Sequence, residues 1–207
     1  FYPLHRVIIS DRTIAYAARL HCGYDASLLH AESVTMLQLV RAFYDIAILR
    51  LGPEDLPASR FLLGFAATAY LTTGVISVSF YARNASDAFL QLAADLGLLV
   101  AFITLLLVLY GKAARLGLTL TALLGTGALL ALIALPLSVW LRWDDANGIG
   151  SGLPVAGLYL VVLWSIAVTG HILHRALEIP YVGGLVLGAA YFILNVATFA
   201  YLFPAEA

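Results

Sequence analysis

Four stretches of this chain carry no Asp, Glu, Lys or Arg: residues 61–82, 116–141, 146–174 and 179–205. Each is long enough to cross a bilayer, which takes roughly 20 apolar residues in an α-helix. A fifth stretch, between Asp87 and Lys112, is interrupted only by Asp95. Its uncharged core, 96–111, is short for a full crossing, so Asp95 is expected to enter the membrane. Five transmembrane helices follow, at about 61–82, 88–111, 116–141, 153–174 and 179–203. The runs are rich in Leu and Ala and do not alternate, which excludes the segments of about ten residues from which an outer-membrane barrel is built. The fold expected is all-α: one polytopic transmembrane helical bundle, with short connections that make successive helices antiparallel neighbours.

Composition excludes the soluble alternatives. Only 11% of residues are charged and 62% are hydrophobic, against about 25% and 45–50% in soluble domains. A formal net charge of -1 offers no basic domain for a phosphate backbone. Cys22 is the only cysteine, so neither an intramolecular disulfide nor a multi-cysteine metal site can form.

Orientation follows from where basic residues fall. With the N-terminus in the cytoplasm, Arg41, Arg50, Arg60, Lys112, Arg115 and Arg175 lie inside, and only Arg83 and Arg142 lie outside. The C-terminus is then external. Ten arginines to one lysine, with the Ala, Gly and Leu load, point to a GC-rich bacterial genome and so to the cell inner membrane.

Residues 36–51 have a different pattern. Gln38, Arg41 and Asp45 recur at helical spacing, while Leu39, Val40, Phe43, Ile46 and Ile48 cover the remaining surface. This predicts an amphipathic helix in the cytoplasmic interface, ended by Gly52 and Pro53. An acidic loop follows, with Ser59 as the expected N-cap of the first span. Residues 1–35 lack apolar periodicity and an apolar signal-peptide core. Two accounts compete for them: an ordinary cytoplasmic tail, or sequence upstream of a true start at Met36. On the second account a chain beginning at Met36 inserts and folds like the full one. His21, Cys22 and His30, which lie in this segment, have no metal-site spacing.

Few residues in the spans can carry chemistry. Asp95 would sit roughly 10 Å deep at 1.5 Å per residue, and a carboxylate there must face water or a partner. It is either an ion- or proton-coupled site or a structural hydrogen bond. Asn195, about 16 residues into the last span, reaches a similar depth and is the natural partner. Together they form the candidate intramembrane polar site. His171 and His174 lie one turn apart beside Arg175, a spacing suited to a metal, but no third ligand accompanies them. They are expected to be a boundary pair at a helix C-terminus. Gly184 and Gly188 form a G-x-x-x-G, and Gly125 and Gly127 sit midway along the third span. Such residues let helices approach closely, within the chain or in a homo-oligomer or membrane-protein complex. Trp140, Trp143, Tyr81, Tyr110 and Tyr181 fall near span ends as an aromatic belt, and Pro136 predicts a kink. No nucleotide-binding, serine-hydrolase or zincin motif occurs. No cofactor, metal or catalytic residue is expected.

The amphipathic N-terminal segment, the approach LGPEDLPAS (51–59) and five closely spaced spans resemble the Yip1 family of small membrane proteins. The passage LWSIAVTGHILHRALEIPYVGGLVLGAAYF is also similar to bacterial members. The resemblance covers about residues 36–203. It implies a five-span fold with the N-terminus inside, and it transfers no functional residue. Eukaryotic members are implicated in vesicle traffic with Rab GTPases. The function expected is a non-enzymatic scaffold or accessory subunit of a membrane complex. The alternative is a small carrier or channel component using Asp95 and Asn195.

Overall fold

A computed structural model of the chain describes residues 36–80, 84–150 and 152–203. The tail 1–35, including His21, Cys22 and His30, lies outside the described residues, as does Tyr81.

Among the described residues the structure is helical throughout: α1 (Met36–Ala47), α2 (Arg60–Ser79), α3 (Ala85–Leu109), α4 (Leu116–Ala146), α5 (Leu153–Leu177) and α6 (Tyr181–Leu202). The helices α2 to α6 are each long and apolar enough to cross a membrane, and they coincide with the five runs read from the sequence. Boundaries differ modestly. At the first span, α2 stops at Ser79, and Ser59 occupies its N-cap without a side-chain hydrogen bond. Helix α4 runs on past Arg142 to Ala146 and through Pro136. Helix α3 has a true N-cap, where Asn84 Oδ1 accepts from the Asp87 amide at 2.8 Å.

The bundle is built around α4, which packs on α2, α3 and α5, while α6 rests on α5 and more lightly on α3. Half of α4's apolar window is buried, against 6% of α6's. The outer faces present Phe61, Phe89, Leu160, Val182 and Ile193 to the surroundings. A soluble monomer rarely leaves so continuous an apolar patch exposed, whereas hydrocarbon accepts it. The two ends are tied differently. At one, Lys112 and Arg115 both pair with Glu178, and Arg175 pairs with Glu54 at 3.0 Å. At the other, Arg142 donates to the Phe80 carbonyl and lies over the Phe80 ring.

Helix α1 forms where the amphipathic pattern lies, and docks through Phe43 and Ile46, which are almost fully buried. Arg41 and Tyr44 point outward. The Phe43 ring occupies the space that a Cβ on Gly125 would need, so the contact requires glycine. Gly125 lies nine residues into α4, about 14 Å along its axis. Trp164 Nε1 donates to the Ala47 carbonyl at 3.0 Å. The seat of α1 is thus well up the bundle from the Lys112–Glu178 end. The chain then reverses at Leu49, in the left-handed region at φ 64°, and returns toward Glu54.

Candidate intramembrane site

Asp95 projects from the middle of α3, Tyr70 from α2 and Asn195 from α6. The Tyr70 hydroxyl donates to Asp95 Oδ2, and Asn195 Nδ2 donates to Asp95 Oδ1 at 2.8 Å. The pairing expected of Asp95 and Asn195 is therefore present, across residues 100 apart in sequence. Tyr70 completes it and was not anticipated. Its ring lies along α4 at Gly127, where an added Cβ would come within 2.9 Å of the Tyr70 ring edge. Gly125 and Gly127 thus seat two aromatic rings, one for α1 and one for the site.

The cluster borders a partly open cavity of about 480 Å³ to which all five long helices contribute. Its polar lining includes Thr73 and Ser77 from α2, Gln91 and Asp95 from α3, Thr126 from α4 and Ser165 from α5. Four of the lining hydroxyls donate back into their own helices. Thr73 donates to the Ala69 carbonyl at 3.0 Å, Ser77 to Thr73 at 2.8 Å, Thr126 to Ala122 at 2.7 Å and Ser165 to Val162 at 2.7 Å. Among the described residues the lining holds no Lys, Arg or His. Asp95 is the one formal charge, and it is compensated by neutral donors alone.

The histidine pair lies elsewhere, toward the end of the bundle that carries Arg175. His171 Nε2 donates to the Leu51 carbonyl at 3.0 Å, and His174 Nδ1 donates to the Ile179 carbonyl. A carbonyl only accepts, so each contact fixes which ring nitrogen carries hydrogen. Their centroids are 6.3 Å apart, with Tyr181 against both. The pair ties the return loop of α1 and the α5–α6 turn to α5. No group of three potential metal ligands occurs among the described residues.

Beside them, Glu178 closes α5 in the left-handed region. Hydrogen bonds from Lys112, then Arg115, together with their charges, hold its carboxyl below the ordinary 4.5.

Gly184 and Gly188 are both buried against α5. A Cβ on Gly184 would strike the Gly170 carbonyl, and one on Gly188 would lie 2.9 Å from the Ile166 carbonyl. Of the two uses expected for these glycines, packing within the chain is the one observed here, because α5 fills the groove they open.

What the geometry defines among the described residues is a bundle with five helices long and apolar enough to cross a membrane, and within it a partly open, mainly apolar cavity that carries the Asp95 carboxylate. Comparison with protein-family models, with curated proteins and with solved structures returns no match.

Proposed function

We propose that the chain is a small carrier or channel component of the bacterial inner membrane, oriented with the N-terminal side of α2 in the cytoplasm, and that the Asp95 chamber is its solute site. One observation carries this reading: a charged side chain on α3, hydroxyls from α2, α4 and α5 and the Asn195 amide from α6 converge on one cavity within the apolar part of the bundle. Polar groups are expensive there and gather where something polar must be accommodated. A purely scaffolding bundle would gain more by filling the same volume with Leu and Ala. The scaffold or accessory-subunit role expected from the sequence draws no support from the Gly184–Gly188 stripe, which packs inside the chain. The Yip1-like architecture is compatible with either role. No catalytic step is proposed.

The test is ligand-free. Ala134 lines the chamber from α4, and Cys22 is the only native thiol. An Ala134→Cys variant in a Cys22→Ser background should react, in sealed vesicles, with a membrane-impermeant thiol reagent from at least one side. Labelling that occurs only after denaturation would leave the chamber closed to water and end the carrier reading.

A further inference from the structure

We infer that the chamber selects a small monovalent cation, an alkali ion or a protonated primary amine. The inference rests on the carrier reading for its site and adds the chemistry of what enters it. The argument is the direction of the hydrogen bonds. A hydroxyl has one hydrogen to give and two lone pairs. Thr73, Ser77, Thr126 and Ser165 each give that hydrogen to a carbonyl of their own helix, so toward the cavity they offer oxygen lone pairs only. The Tyr70 hydroxyl is likewise spent, on Asp95. Asp95 accepts one hydrogen bond on each oxygen, which leaves about two of a carboxylate's four acceptor positions free. These groups therefore face the cavity as acceptors, and the donors beside them, on the Gln91 and Asn195 amides and the Thr169 hydroxyl, are all neutral.

An anion would meet a carboxylate, with no basic side chain among the described lining residues to balance it. A cation meets oxygen ligands and a counter-charge, the hard-donor set that suits an alkali ion and equally an ammonium group. Size agrees. A cavity of about 480 Å³ holds on the order of ten waters at roughly 30 Å³ each, enough for a partly hydrated ion or a short amine.

The experiment is thermal unfolding of the full-length protein in detergent, in sodium, potassium or methylammonium chloride, with N-methyl-D-glucamine chloride at equal ionic strength as reference. The expected result is a saturable rise of about 5 °C for at least one probe at a hundredfold excess over its dissociation constant. Sodium or potassium alone identifies an alkali site, and methylammonium alone identifies an amine site. Asp95→Asn should abolish the rise. Thr126→Val should weaken apparent affinity roughly tenfold, which keeps a test available if the Asp95 variant does not fold. No rise with any probe, or a rise that survives Asp95→Asn, overturns the inference. A cation effect without thiol access to Ala134→Cys would keep the site and remove the carrier; access without a cation effect would do the reverse.

Discussion

Two glycines on α4 show how much a single missing Cβ sets in this bundle. Gly125 takes the ring of Phe43 and Gly127 takes that of Tyr70, so neither is simply a helix-packing residue. Gly125→Ala should lower stability by about 1–3 kcal/mol through overpacking. Adding Phe43→Ala to that variant should cost less than it costs in the wild type, because removing the ring also relieves the clash that Gly125→Ala introduces. Equal costs of Phe43→Ala in both backgrounds, measured by denaturant titration, would mean the ring does not sit there. Asn195→Ala should cost about 0.6–2 kcal/mol, the range of interhelical hydrogen bonds in membranes. That loss should shrink when Asp95 is already Asn. Asp95 and Asn195 were legible in the sequence because a carboxylate and an amide stand out in apolar runs, and residue counting put them at similar depth. Tyr70 was not, since a tyrosine within a span passes as an ordinary large apolar residue. Only the fold shows its hydroxyl aimed at α3.

Among the elements, α1 departs most from what its pattern alone conveys. Gln38, Arg41 and Asp45 mark a polar face, but periodicity cannot say how far along a bundle the opposite face docks. That height is set by Gly125 and Trp164, residues far away in sequence. A charge at Phe43, as in Phe43→Asp, should undock α1 at a cost of about 1–3 kcal/mol from desolvation, read as new proteolytic cleavage between Met36 and Ser59. The H-x-x-H spacing was equally ambiguous, because the partners of His171 and His174 are backbone carbonyls that no motif encodes. The α5–α6 turn carries a pH signature. Glu178 is depressed below its ordinary value by Lys112 and Arg115, so its ion pairs stabilise the fold above the carboxylate range. That stabilisation is lost as pH falls through the lowered folded value. Glu178→Gln should flatten the acid side of the stability profile and leave the neutral side parallel to wild type. An unchanged acid limb would show that the cluster does not couple to folding.

At the scale of the molecule, the five spans were readable because bilayer thickness imposes a minimum uncharged length that few other constraints mimic. Which helix would be central was not, since α3, α5 and α6 are as apolar as α4, and only packing buries one of them. Orientation is a separate matter, resting on the arginine count. Reporter fusions at Lys112 and Arg175 should report the cytoplasm, and one at Asp144 the opposite side; inverted signals would reverse the orientation. The central claim is that water and a small cation reach Asp95 from within the bundle. The most direct measurement places a thiol at Ala131, which also lines the chamber, in the Cys22→Ser background, and follows its rate of modification in membranes by an impermeant reagent. The account predicts modification that sodium or methylammonium slows several-fold when Asp95 is present, and that neither cation slows in Asp95→Asn. A thiol that reacts only after denaturation, or one that no cation protects in either background, would contradict it.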